Sequence, residues 1–351
     1  MNLLFCYNFI VERSDIMKNK IILGLSILTL LLTGCSAEEK KGGIKNPLEK
    51  LFPKEEEKTL QIVDLESKSR PFAVMIDNHD NATPHTGLQD AYIVYEMVVE
   101  GGITRLMAIF KDQETATIGP VRSSRHYFLD YALENDAIYT HWGWSPQAQS
   151  DIPKLGVNNI NALYDNSFWR DNSRNAPHNG MTSIEKLKTT ANNKNYNRDT
   201  NKDLLLNYSV DSIELKEMEQ SKIANNVSIR YSSYQTVTYE YDSTNKVYKR
   251  IRKGSPHVDK QTGKQYTAKN IIVYQIHNEL MGSKGRQELS NIGTSNGYYI
   301  TNGYAVPITV KKDSRSGQTV YKYLDGKEIN VNDGNTFIQI QPKDQELKII
   351  E

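Results

Sequence analysis

Five apolar residues run unbroken from Phe72 to Ile76, the pattern of a central strand covered on both faces, and the run ends at Asp77. Tyr92 to Val99 and Ile103 to Lys111 are rich in β-branched and aromatic residues and meet at Gly101-Gly102, which supplies the positive φ angles of a two-residue hairpin turn. That turn opposes Glu100 to Ile103, Val98 to Arg105 and Glu96 to Met107. One face then carries Ile93, Tyr95, Met97, Val99, Thr104, Leu106, Ala108 and Phe110 and belongs to the core. The other carries Tyr92, Val94, Val98, Met107 and Ile109 together with Glu96, Glu100 and Arg105, Glu96 being diagonal to Arg105. A three-residue loop would slip the register by one and part Arg105 from both glutamates.

Thr115 to Gly119 reads as a short strand. It leads into Pro120-Val121-Arg122-Ser123-Ser124-Arg125, where Ser124 is placed to cap a helix with Phe128, Leu129, Ala132 and Leu133 at helical spacing. Ala137 to Trp142 follows as a strand, completing a β-α-β unit whose helix begins at the carboxyl end of a strand. Ser145 and Pro146 open a helix through Ile152, and Thr182 with Glu185 forms a capping box for another through Ala191. Residues 168–180 lack periodicity, and their Trp, Arg and His content reads as an ordered loop.

The second half changes pattern. Val227 to Tyr231, Thr236 to Tyr241 and Val247 to Arg252 form a meander, continued by Ile271 to His277, Gly297 to Thr301, Val306 to Lys311, Thr319 to Tyr323 and Phe337 to Gln341, with turns at Asn302-Gly303, Asp325-Gly326 and Asp333-Gly334. The expected fold is an α+β or α/β N-terminal domain at 70–195, a mixed sheet with a β-hairpin and a β-α-β unit, followed by a mostly β C-terminal domain at 225–351. A linker at 196–224, helix-like over Ile213 to Gln220, joins them.

Ahead of the folded part, Met17-Lys18-Asn19-Lys20, the apolar run Ile21 to Leu32 and Thr33-Gly34-Cys35 have the charged, apolar and small-residue parts of a secretory signal, too short to span a membrane. The Leu32-Thr33-Gly34-Cys35 ending resembles the bacterial lipobox, in which the cysteine becomes the lipidated first residue. Residues 1–34 are therefore expected to be removed, with 1–16 an upstream extension and Met17 the start. Residues 35–69, polar apart from residues such as Leu48, Leu51 and Phe52, form a tether from lipidated Cys35. The membrane partner is then the diacylglyceryl group on Cys35, and the protein sits on the extracytoplasmic face.

Processing leaves 40 of the 43 basic and 40 of the 42 acidic residues, a mature net charge of zero, which excludes a general affinity for nucleic acid. It also leaves no thiol besides Cys35 for a disulfide, a thiolate metal site or a cysteine nucleophile.

The candidate chemistry gathers around the hairpin and the next helix. Arg105, Arg122, Arg125, Ser123 and Ser124 suit an anion, with Asp77, Glu96 and Glu100 as acids beside them. Alternatively, Arg122 and Arg125 pair with Glu96 and Glu100 in a buried structural network. His79 and His85 lie in a turn-forming loop without ligand spacing, so neither metal nor cofactor is expected. Trp142 and Trp144 read as plugs at the core edge, Arg250, Arg252 and Lys253 as a solvated basic face, and His257 and His277 as isolated structural residues. No Ser-His-Asp order, phosphate loop or zinc spacing is present.

Arg70-Pro71 with Ala73 to Asn78, Gly87 to Phe110, Ile118 to Ala132 and Ala176 to Asn179, with a weaker match over Asn270 to Pro342, resemble the YerB-like lipoproteins of Gram-positive bacteria. The resemblance implies a lipid-anchored, extracytoplasmic protein of two domains and supplies no activity. His79 to Thr86 departs from the family pattern. Three readings follow: a non-catalytic binder of a wall component or partner enzyme, a hydrolase or transferase acting on an anionic wall polymer with Asp77, Glu96 or Glu100 as general base, or a scaffold whose charged network is purely structural.

Overall fold

The apolar run forms strand β1 (Phe72–Asp77), buried along its whole length, in a computed structural model that describes residues 59–351. The signal segment, Cys35 and the tether as far as residue 58 lie outside the described residues. Strands β2 (Ile93–Val98) and β3 (Thr104–Phe110) make the expected hairpin. Helix α1 (His126–Glu134) leads to β4 (Ile138–His141), helix α2 (Pro146–Lys154) to β5 (Asn159–Asn161), and the hairpin β6 (Phe168–Arg170) and β7 (Gly180–Thr182) to α3 (Ile184–Asn193).

The longer strands of the second half are β8 (Asn226–Arg230), β9 (Thr236–Asp242), β10 (Val247–Arg252), β11 (Asn270–Ile276), β12 (Gly293–Thr301), β13 (Tyr304–Lys312), β14 (Val320–Tyr323), β15 (Thr336–Pro342) and β16 (Leu347–Ile350). Residues 213–220 form no helix, and turns cover 216–220 in place of the expected one. Leu215 is nonetheless buried, so its apolar spacing serves a packed turn.

The two halves of the sequence share one sheet of eleven strands, in the order β14-β13-β12-β11-β15-β2-β3-β1-β4-β5, with Lys222–Ile223 paired to β13. The join is the parallel pair of β15 with β2, from Ile93 opposite Thr336 to Met97 opposite Ile340. One hydrophobic core accordingly runs through residues of both halves. A second sheet of β10-β9-β8-β16 and short flanking strands covers one face of the first, where Tyr239 of β9 packs on Phe337 of β15 at 5.9 Å between centroids. Helix α1 covers the other, through Tyr127 Oη donating to the Val98 carbonyl and Tyr95 Oη donating to Glu134.

The expected β-α-β unit takes a different form. Thr115 to Gly119 makes only isolated bridges, Gly119 with Thr86 and Ile118 with Thr182. The parallel partners are β1 and β4, with the β2–β3 hairpin between them in sequence. Helix α1 starts two residues past Ser124, with Arg125 at the cap position and no side-chain cap bond. Ser145 caps α2 as expected, accepting from the Ala148 N–H, whereas α3 is capped by Ser183, and Thr182 lies in β7.

Candidate functional site

The hairpin turn decides which charged residues can meet. It is Glu100-Gly101-Gly102, with φ of 70° at both glycines, and Val99 donates to the Ile103 carbonyl at 2.8 Å. Three loop residues instead of two slip the register: Glu96 opposes Leu106, and Met97 opposes Arg105. Side chains alternate along a strand, so the slip sends Glu96 and Arg105 to opposite faces. The expected diagonal between them does not exist.

On the helix-covered face, Arg105 sits directly opposite Asp77 of β1. Residues 118–125 run past the carboxyl ends of β1 and β4, held by Asp77 N–H to Pro120 O, Arg122 N–H to Met75 O and Trp142 N–H to Arg122 O. This brings Arg122 Nε to 3.3 Å from Asp77 Oδ2. The loop between β6 and β7 delivers His178, whose Nδ1 is 2.8 Å from the same oxygen, while Asp77 Oδ1 accepts the His79 N–H at 3.1 Å. His79 and His178 stack with centroids 4.5 Å apart.

Arg105 is buried, donates Nη1–H to the Ser123 carbonyl at 2.6 Å, and leaves its Nε without a hydrogen-bond partner. Arg125 grips Glu100 through Nε and Nη2, the shortest contact being 2.7 Å. Both serine hydroxyls are held against the scaffold. Ser123 Oγ donates to the Trp142 carbonyl, and Ser124 Oγ, buried, accepts from Tyr139 Oη.

Three guanidinium groups thus face two carboxylates in this cluster. Burial acts to raise the Asp77 carboxyl, but the charge of Arg105, the His178 hydrogen bond, the Arg122 charge and the His79 N–H together hold it below the usual range. Glu100 is likewise held low, the Arg125 hydrogen bonds and charge outweighing its burial. Burial and the neighbouring Arg125 charge lower Arg105 to about 10, against the pull of Asp77 and Glu100. It stays cationic at neutral pH. A His178 proton on Nδ1, facing the carboxylate, leaves Nε2 as an acceptor, and nothing among the described residues bonds to it.

Glu96 belongs to a separate, sealed network under the second sheet. Its Oε2 meets Arg250 Nη2 at 2.8 Å with neither side chain exposed, and its Oε1 accepts from Thr104 at 2.6 Å. Arg250 and Arg252, read from sequence as a solvated face, are buried. Arg250 also bonds Tyr239 Oη and His257, and Arg252 bonds Asn78. Arg252 and Lys253 both also pair with the exposed Asp80, at 2.7 and 2.9 Å.

Nor is His257 isolated. Its Nε2 lies 2.6 Å from His85 Nδ1, and His85 Nε2 lies 2.6 Å from the Asp77 carbonyl. Because Arg250 only donates and a carbonyl only accepts, both histidines carry their proton on Nε2 and are neutral. Burial, opposed in part by the bond to Asp77, lowers His85 to about 4. Burial, with the nearby His85 and arginine charges, pushes His257 far down.

Trp142 is a partly buried plug, 5.6 Å from Phe168 and under Arg170, and Trp144 packs between His141 and Tyr164. No group of three or more metal-binding side chains is found among the described residues. Sequence reasoning passed over His178 as a site residue, although it lies in the Ala176-Pro177-His178-Asn179 stretch already singled out.

Among the described residues the architecture is a mixed sheet with three α-helices and a mostly β C-terminal half, with its candidate site at the carboxyl ends of β1 and β4. Residues 59–197 match a family model described as "Protein of unknown function (DUF3048) N-terminal domain", and 227–338 match the corresponding C-terminal domain. The chain is 32% identical over 327 residues to "Putative lipoprotein YerB" of Bacillus subtilis, covering 92% of this chain and 94% of that protein. A crystal structure of the Bacillus subtilis YerB protein superimposes with a TM-score of 0.71 at 30% identity, over 81% of this chain and 94% of that one. The chain belongs to this YerB-like, DUF3048 family. No helix among the described residues is long and apolar enough to cross a membrane.

Proposed function

We propose that the protein is a lipid-anchored binding protein of the cell envelope, held at the extracytoplasmic surface through Cys35, and that the cleft of Asp77, Arg105, Arg122, Arg125 and His178 takes an anionic group of an envelope component. One observation carries the reading. Arg105 is buried with an unpartnered Nε–H in a cluster where guanidinium groups outnumber carboxylates. A buried donor left unmade costs about 1–3 kcal/mol, more beside a charge, and a bound phosphate or carboxylate would relieve that cost. Arg122, with its side chain 27% exposed, is a part of the cluster that solvent reaches. The relative named a lipoprotein supports the anchor.

The test is the Nε–H resonance of Arg105 in the 15N-labelled protein titrated with inorganic phosphate. A saturable shift is expected there and at His178. An unmoved Arg105 resonance alongside shifts scattered over surface lysines would overturn the assignment.

A hydrolase or transferase acting on an anionic polymer is the second reading, and the His178–Asp77 pair favours it. A carboxylate holding Nδ1–H aims the other ring nitrogen as a general base. Glu96 is sealed and Glu100 is gripped by Arg125, so the base would be His178 with Asp77 orienting it. His178→Asn separates the two: an enzyme loses turnover at least about 100-fold, whereas a binder retains its ligand with a modest loss of affinity.

A further inference from the structure

We propose that the cleft continues into a second anion subsite lined by Arg286, so that the ligand carries at least two anionic groups in series. This rests on the reading of the first cleft. A cavity of ≈ 260 Å³ lies beside it, bounded by Arg125 and His126 at the start of α1, Ser145 and Gln147 at the start of α2, and Met281 and Arg286 of a hairpin. Arg125 is common to both, gripping Glu100 on one side and lining the cavity on the other.

The lining contains two arginines and a histidine and no carboxylate. Arg125 is neutralised by Glu100 and His126 faces Glu288 at 2.9 Å, whereas Arg286 has no ion-pair partner among the described residues. The two strands of this hairpin, Asn278–Met281 and Arg286–Leu289, pair only with each other. Arg286 is therefore carried on a hairpin outside both large sheets and lines the cavity without an ion-pair partner to account for its charge.

The cavity is smaller than the roughly 300–1,000 Å³ of sites that engulf a drug-sized ligand. It suits one repeat of a linear polyanion, an anionic group beside a short hydroxylated spacer, with the polar residues Ser145 and Gln147 in its lining. Two subsites joined by Arg125 bind such a chain more tightly than its single unit, since the second contact forms within the complex.

The experiment is calorimetric titration of the intact mature chain at low salt with inorganic phosphate, an oligomer of glycerol phosphate and an oligomer of glutamate matched in charge. At least one oligomer should bind about tenfold or more tightly than its monomeric anion. Arg286→Ala should abolish that gain while leaving melting temperature unchanged, and Arg286→Glu should weaken oligomer binding further. The oligomer showing the larger Arg286-dependent gain assigns phosphate or carboxylate. If phosphate binds but neither oligomer gains, or the gain survives both variants, the second subsite is wrong and the first cleft stands. If no probe binds at all, the reading of the first cleft falls and takes this proposal with it.

Discussion

Glu96 and Arg250, 154 positions apart in sequence, meet at 2.8 Å in a pair from which solvent is wholly excluded. The contact bolts the second sheet onto the strand that joins both halves of the chain. Thr104, Tyr239 and His257 satisfy the remaining polar atoms around it. Removing one partner strands the other charge in the core, so Glu96→Gln or Arg250→Ala should each cost about 3–5 kcal/mol. Urea unfolding checks this, with a drop in midpoint at unchanged slope expected.

The neutral histidines set a pH limit on stability. His85 and His141 have folded values of about 4, and burial pushes His257 well down too, all below the unfolded value near 6.5. Between those values the unfolded chain binds more protons, so stability is complete above about pH 6.5 and falls as pH drops toward 4. His85 and His141 each contribute up to about 3 kcal/mol of that loss. Melting temperature measured from pH 8 to 4 should be flat at first and then decline steeply, and His85→Asn should flatten the decline.

Much of the fold was legible because its signals are local. Unbroken apolar runs and alternating segments located β1 to β4 and the strands of the second half, and Ser145-Pro146 located α2. What could not be read depends on distant partners or on one residue of loop length. Gly101-Gly102 accommodates a two-residue turn or the three-residue one observed, and that single residue reverses the faces of Glu96 and Arg105. Nothing near Arg250 or Arg252 signals burial, because Glu96 and Asn78 come from strands and loops over 150 residues away. The parallel pairing of β15 with β2 is equally non-local, so two halves with different patterns read as separate cores. Asp77, Glu100, Arg105, Arg122 and Arg125 do lie on one side of the sheet, whereas Ser123 and Ser124 spend their hydroxyls on the scaffold.

Gly180 is held by a close approach. A Cβ there would lie 2.3 Å from a Trp142 ring carbon, and that ring is also stacked by Arg170, 4.1 Å from its centroid. Gly180→Ala should therefore overpack the edge of the site, cost about 1–3 kcal/mol and shift the tryptophan fluorescence, as Trp142 must move.

Arg122 differs from Arg250 in being partly exposed and held by one ion pair at 3.3 Å. Its removal should change stability by less than about 1 kcal/mol, within the range of exposed pairs. Thermal unfolding of Arg122→Ala beside Arg250→Ala should place the first near wild type and the second far below.

Calorimetric titration of wild type and Arg122→Ala with inorganic phosphate at low ionic strength bears most directly on the cleft. Saturable binding to the wild type, weakened about tenfold or more in the folded variant, is the expected result. Wild type that binds no phosphate, or a variant that binds it equally well, would contradict the account.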